Sequence, residues 1–278
     1  MINRVAFLGP AGSYTEQAAI AHDGDAILVP CPSISAVADA VSSATVDLGV
    51  VPIENSLEGA VTHTLDLLIH DSSLFIQHEL VLPIEHCLMV VPGTNRDEIQ
   101  VVFSHPQALS QCKIFLTECF TGVELMASLS TSAAVEEMHK SQFTSAAIAN
   151  KRAADLYSAE IISYGIGDDS NNVTRFIVLA DMDHPPTGSD KTSICFDFDH
   201  DSAGILFAVL EEIAKRDVNM TKIESRPTKR NLGRYIFLVD LEGHRNDKAI
   251  RDALDAVKSQ VAMFKVLGSY PMNVSSAV

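Results

Sequence analysis

Five times before residue 180 a short β-rich run ends in a turn of polar or small residues, and a helical pattern or a cap follows. The runs are Arg4 to Leu8, Asp47 to Ile53, Val101 to Phe103, Glu124 to Ala127 and Ala146 to Ala149. Their turns are Gly9 to Ser13, Glu54 to Ser56, Ser104 to Gln107, Ser130 to Ser132 and Asn150. A strand followed by a helix rejoins its sheet by a crossover, so this rhythm predicts an α/β domain with largely parallel strands. The first helix opens on a capping box, Ser13 with Glu16, and the third carries an apolar stripe through Leu109, Cys112, Leu116 and Cys119.

The stretch "FIQHELVLPIEHCLMVV" reads as two strands broken at Pro83. A long crossing there divides the domain into two lobes, and the run Phe176 to Ala180 returns the chain to the first. "NNVTRF" (Asn171 to Phe176) then lies at the crossover. Residues 181–191, with Pro185, Pro186 and Gly188 and no apolar period, mark the seam to a second domain. Beyond it, strand and helix patterns run in the order βαββαβ, with the loop "PTKRNLG" ahead of the strand Tyr235 to Leu241. That order is ferredoxin-like. The expected division is residues 1–182, a linker over 183–190, and residues 191–278.

In open α/β sheets, ligands bind beyond the carboxyl ends of the strands, where helix N-termini present unpaired N–H groups. Each Ser, Thr or Asn in the five turns taken singly reads as a helix cap. Together with Arg175 they describe a cleft for a small anion. A formal net charge of −16 opposes nucleic acid and anionic membrane as partners, yet distant surface charge is screened beyond about 8 Å and leaves a small anion with local donors free to bind. The five scattered cysteines show no paired or zinc-type spacing, and the ten histidines include no HExxH, so neither metal nor cofactor is expected. GxGxxG, GxxxxGK[ST] and GxSxG are missing, which sets aside nucleotide binding and the serine-hydrolase elbow. With no leader and no apolar run near about 20 residues, the expected compartment is the cytoplasm.

The motifs "GPAGSYTEQAA" (Gly9 to Ala19), "PIENSLEGAV" (Pro52 to Val61), "SHPQALSQC" (Ser104 to Cys112) and "NNVTRF", followed by "KIESRP" (Lys222 to Pro227) and "LGSYP" (Leu267 to Pro271), occur in one order. In this the chain resembles the prephenate dehydratase family, whose catalytic domain is followed by a regulatory ACT domain. The resemblance implies a two-lobed, periplasmic-binding-protein-like catalytic domain. Its reaction takes prephenate to phenylpyruvate with loss of water and carbon dioxide, a carbon–oxygen lyase of phenylalanine biosynthesis. It also implies a chain without a fused chorismate mutase, a homodimer or dimer of dimers, and phenylalanine as allosteric effector. Arogenate as substrate and a non-catalytic anion sensor are the alternatives.

By motif, the resemblance assigns catalysis to Thr174, Arg175, Asn55, Ser104 and Gln111, and substrate contacts to Ser13, Glu54, Ser56, His105, Gln107, Thr131, Ser132 and Phe176. Thr174 is the donor to the departing oxygen. Arg175 either holds a carboxylate or pairs with Glu54 or Asp169. Neighbours on a strand face opposite ways, so a regular strand puts Thr174 and Phe176 on one face and Arg175 on the other. Gln111 lies one helical turn beyond Gln107 and shares its face. His105 either starts its helix with the ring bonded to backbone or touches substrate. The effector is implied at Gly204, Leu206, Asn219, Glu224, Ser225, Arg226 and Pro227, although Ala203-Gly204-Ile205-Leu206 stands where the family has Pro-Gly-Ala-Leu. Asp168 and Asp169, beside a cleft for a dianion, have no explanation in the sequence.

Overall fold

A computed structural model describes residues 2–228 and 233–273; Lys229, Arg230, Asn231 and Leu232 of the "PTKRNLG" loop lie outside the described residues. The first lobe is built from β1 (Arg4–Leu8), α1 (Tyr14–His22), β2 (Ile27–Cys31), α2 (Ile34–Ser42), β3 (Leu48–Asn55) and β4 (Gly59–Ala60). After α3 (Thr62–Asp66) and a π-helical turn over Leu67–Asp71, β5 (Phe75–Pro83) leads out of this lobe. The second lobe holds β6 (Cys87–Val90), β7 (Val101–Ser104), α4 (Pro106–Gln111), α5 (Lys113–Cys119), β8 (Glu124–Ala127), α6 (Thr131–Lys140), β9 (Ser145–Ala149), α7 (Lys151–Tyr157) and β10 (Glu160–Ser163). Strand β11 (Val173–Ala180) returns to the first sheet, whose order is β2-β1-β3-β11-β5 with β4 on β3; the second sheet runs β10-β6-β9-β7-β8.

The local chemistry is that of caps and pleats. Ser13, Ser33, Ser130 and Asn150 each accept the N–H three residues on, fixing the starts of α1, α2, α6 and α7 directly after the strands. Two departures from the sequence pattern bear on the site. "ENS" does not open a helix: Glu54 and Asn55 are still strand and pair with β4, while Asn55 Oδ1 accepts the N–H groups of Leu57 and Glu58. The stripe through Leu109 to Cys119 is broken at Cys112, which separates α4 from α5, and Cys119 is exposed.

The sheet of the second lobe is walled by apolar clusters on both faces. In the second lobe, Met89, Val101, Val135, Met138 and Ala147 pack on one side, and Leu88, Val102, Cys112, Leu116 and Ile148 on the other. This two-lobed α/β architecture, with the chain crossing between lobes at Pro83 to His86 and again ahead of β11, is that of periplasmic-binding-protein-like domains.

The described residues fall into two compact units, one within Met1–Val61 and Leu80–Phe176 and the other within Thr62–Glu79 and Ile177–Val278. The second unit contains β12 (Asp190–Asp197), α8 (Ile205–Ala214), β13 (Met220–Pro227), β14 (Tyr235–Glu242), α9 (Lys248–Lys258) and β15 (Met263–Pro271), a βαββαβ module with sheet order β13-β14-β12-β15. Ile194, Phe196, Val239 and Leu241 pack under the two helices with Val209, Ile213, Leu254 and Val257.

Charged residues of this sheet hold the segment Thr62–Glu79. Arg226 pairs with Asp66 at 3.1 Å and donates to Thr62 Oγ1 at 3.1 Å, and Lys191 pairs with Glu79 at 2.8 Å. Lys265 Nζ donates to the Leu68 and Ser72 carbonyls, both at 2.6 Å. Among the described residues no helix is long and apolar enough to cross a membrane.

Candidate active site

A cavity of about 370 Å³ lies within the first unit, walled by strand ends and helix starts from both lobes. Ser13 comes from the turn after β1, Asn55 from the end of β3, and His105, Gln107 and Gln111 from α4 and its cap. Thr131 opens α6, and Thr174 and Phe176 enter from the returning strand β11. The pleat therefore faces Thr174 and Phe176 inward, and Arg175, outside the cavity wall, lies 3.7 Å from Glu54.

A hydrogen-bond chain with a fixed direction runs through this wall. Asn55 Oδ1 accepts two backbone N–H groups, which orients its amide. Asn55 Nδ2 must then donate, and it reaches Asn172 Oδ1 at 2.8 Å, Val173 O at 3.1 Å and Thr174 Oγ1 at 2.8 Å. Asn172 Nδ2 donates in turn to Gln111 Oε1 at 3.1 Å, while Gln111 Nε2 donates to Glu58 at 3.3 Å. Thr174 thus receives a hydrogen bond at its oxygen, and no acceptor for its own O–H is found among the described residues. The hydroxyl is left free to donate into the cavity.

Sequence reasoning missed His86. Its ring is buried between Gln111 Oε1, 2.9 Å from Nε2, and the Tyr14 hydroxyl, 3.3 Å from Nδ1. Because Gln111 presents oxygen, Nε2 carries the proton, and burial lowers the ring's pKa against the opposing effect of the Gln111 hydrogen bond. Burial first, then the thiols Cys87 and Cys112 and the carboxylate of Glu85, raise the Tyr14 hydroxyl well above its usual range, so it stays protonated. The only sequence hint was position: "IEHC" follows Pro83 at the first crossover.

A neutral, buried His86 stabilises the fold above the unfolded pKa of about 6.5 and loses that contribution as pH falls toward its lower folded value. The sign follows because the unfolded chain binds the extra proton in that window. Urea midpoints at pH 7.5 and pH 5.5 are expected to differ more for the unmodified protein than for His86→Gln; equal differences would contradict the assignment.

Among the described residues the cavity wall contains no Asp, Glu, Lys or Arg. An anion there meets neutral donors and the positive ends of α1 and α6. His105 caps α4, its Nδ1 accepting Gln107 N–H at 3.3 Å, and its ring also lines the cavity.

Five residues expected at the site lie outside the wall. Ser104 is fully buried and donates to Ile148 O at 2.6 Å within the sheet. Ser56 ties its turn to the crossover, donating to Asn171 O and accepting Val173 N–H. Glu54 and Arg175 lie on the far face of their strands. Ser132, also fully buried, packs against Gly12. All five sit beside wall residues, which is why sequence adjacency could not separate them.

The acidic loop has a structural role. Both oxygens of Asp168 accept Ile114 N–H, at 3.1 and 3.3 Å, capping α5, and Asp169 accepts Asn171 N–H at 2.8 Å. Burial, aided by Asp168 and Cys87, pushes the Cys112 thiol up to about 12, so it is no nucleophile. Among the described residues no cluster of three His, Cys, Asp or Glu could hold a metal.

In the second unit, Gly204 and Leu206 line a cavity of 350 Å³ with Phe198, Phe237, Tyr235 and Arg234. Gly204 takes φ +85° at the start of α8 with open space where a side chain would be. Ser225 and Pro227 share the Phe237 face by register, without lining the cavity. Glu224 and Arg226 do not: they point to the opposite face, Glu224 pairing with Lys222 at 3.3 Å and Arg226 with Asp66. Asn219 contributes a backbone bond from Glu242 N–H and is not in the wall.

Two α/β lobes around a wall of neutral donors, in one chain with a βαββαβ module, define a two-lobed α/β domain joined to a ferredoxin-like one. The Prephenate dehydratase family model matches residues 5–184, and the ACT domain model matches residues 200–259. A bifunctional chorismate mutase/prephenate dehydratase of Pseudomonas aeruginosa is 39% identical over 98% of this chain and 74% of its own. Arogenate dehydratase 1 of Petunia hybrida is 38% identical over 98% and 68%. The crystal structure of an Arthrobacter aurescens prephenate dehydratase in complex with L-Phe has TM-score 0.90 and 32% identity, covering 99% of this chain and 92% of that one. The chain belongs to the prephenate dehydratase family, whose class is that of carbon–oxygen hydro-lyases.

Proposed function

We propose that the cleft converts prephenate to phenylpyruvate, with the Thr174 hydroxyl donating to the departing ring oxygen. The observation that carries this reading is the direction of the hydrogen-bond chain, which delivers a donor to Thr174 Oγ1 and leaves its proton facing the cavity. The C–C bond to the ring carboxylate breaks and its electron pair enters the ring. The C–O bond breaks in concert, so a dianion and one proton give the phenylpyruvate anion, carbon dioxide and water. Thr174 serves as a placed donor, since a hydroxyl is a weak acid in isolation.

Asn55 positions Thr174, and Asn172 and Gln111 position Asn55. Ser13, Gln107, His105 and Thr131 are suited to the substrate carboxylates, and Phe176 to the ring. Arg175, Glu54, Ser104, Ser56 and Ser132 form the frame behind them. Among the described residues no acidic side chain lines the wall to receive an ammonium, which favours prephenate over arogenate. Side-by-side kcat/KM values for the two substrates are expected to favour prephenate by at least about tenfold, the effect of one unmatched charge; a preference for arogenate would reverse the assignment.

In this reading residues 1–182 carry catalysis, 183–190 link, and 191–278 sense phenylalanine. The Gly204 cavity has apolar walls for a ring, and polar His200 with charged Asp201 and Arg234 as neighbours for a zwitterion. Phe207 and Tyr235, both well exposed beside it, suit pairing of two copies, as the expected homodimer or dimer of dimers requires. We place the protein in the cytoplasm, in keeping with cysteines that stand as free thiols. Phenylalanine is expected to bind by calorimetry and to lower the rate; neither heat nor inhibition would count against the sensing role.

A further inference from the structure

One apolar side chain of the cavity wall is held out in water. Leu129 is 95% exposed, whereas Phe176 in the same wall is 1% exposed. The exposure is imposed by its neighbours. Ser128 is buried, with its N–H on Ser104 O at 2.8 Å and its hydroxyl donating to Glu137 Oε2. Ser130 caps α6 by accepting Ala133 N–H at 3.0 Å. With the backbone pinned on both sides, Leu129 has no route into the lobe's core.

A leucine fixed at the rim of a cleft gains by burial only when something apolar comes to cover it. The polar groups of the wall are arranged for carboxylates and a hydroxyl, which leaves the ring faces of the substrate to apolar partners. Phe176 supplies one such partner from the floor, on β11. Leu129 stands on the loop between β8 and α6, in the other lobe, and brings no charge to the rim.

We propose that Leu129 is a specificity-determining residue: it closes over the unsaturated ring of the bound substrate, and its lack of charge selects the 2-keto acid over the 2-amino acid. This rests on the prephenate reading above and adds a contact that the family motifs do not include.

The test uses the full chain, with Leu129→Ser and Leu129→Glu compared by kinetics on prephenate and arogenate. The same substitutions in a Thr174→Ala background, titrated calorimetrically, report binding without turnover. For Leu129→Ser, KM and the calorimetric Kd for prephenate rise about tenfold, as expected for a leucine that is buried on binding. Its kcat stays within about twofold, because no group at the reacting atoms has changed. Its thermal midpoint is unchanged, since the side chain packs on nothing. For Leu129→Glu, the arogenate-to-prephenate ratio of kcat/KM rises about tenfold or more, as an acid pairs with the ammonium.

An active protein whose KM and Kd ignore Leu129→Ser would overturn the contact. Equal losses on both substrates in Leu129→Glu would overturn the selectivity. An inactive protein that still binds prephenate with Leu129-dependent affinity would sink the catalytic reading and leave the contact standing. Failure to bind either substrate would overturn both.

Discussion

Thr174→Ala is expected to lower kcat for phenylpyruvate formation by about three orders of magnitude, the range seen when a placed donor to a developing oxyanion is lost. The fold should survive. Removing the hydroxyl leaves Asn55 Nδ2 its bonds to Asn172 Oδ1 and Val173 O, so no buried donor is stranded. Thr174→Ser keeps the donor and should retain activity within about tenfold. The far-ultraviolet circular dichroism and urea midpoint of the alanine variant should match those of the unmodified protein. A variant with near-normal kcat would remove Thr174 from the chemistry, and one that unfolds would make the residue structural.

Gly268→Ala is expected to destabilise the second unit by about 3–5 kcal/mol, the level reached when backbone is forced to move. The glycine lies in β15 at φ +152°, and a Cβ there would sit 2.2 Å from Ile76 O and 2.7 Å from Ile76 N. Those are backbone atoms, which no rotamer change relieves. The collision would push Thr62–Glu79 off the sheet that Lys265, Arg226 and Lys191 hold. Gly204→Ala is the control: its positive φ carries a cost of about 1 kcal/mol, but open space surrounds it. Denaturant midpoints for the two variants separate the effects. A Gly268→Ala protein as stable as the Gly204→Ala protein would show that β15 and Ile76 are not packed as described.

Much of the fold was legible because its signals are local. A cap three residues ahead of an N–H, a strand broken at Pro83, and the βαββαβ order beyond residue 190 each occupy a short window of sequence. The facing of Thr174 and Phe176, and of Gln107 and Gln111, followed from the periods of strand and helix. What was hidden depends on partners far along the chain. Asp168 caps a helix 54 residues away, and His86 finds Gln111 across 25 residues. The segment Thr62–Glu79 is compact with the C-terminal module because Asp66 meets Arg226, 160 residues on. No window of sequence contains both members of such a pair.

The same distinction explains Arg175. Its neighbours in "NNVTRF" are all near the site, and a guanidinium beside a cleft for anions invites the role of carboxylate clamp. The pleat turns it away from the wall and sets it 3.7 Å from Glu54. In the proposed reading neutral donors would then carry the anion, which keeps a low-dielectric pocket without the desolvation cost of burying a cation.

The rate of phenylpyruvate formation when purified protein is given prephenate is the most direct test of the cleft as an active site. Steady turnover is expected, with a loss of about three orders of magnitude in Thr174→Ala while prephenate still binds. Tight binding of prephenate with no phenylpyruvate from the unmodified protein would contradict that role, leaving a two-lobed receptor for a small dianion in place of an enzyme.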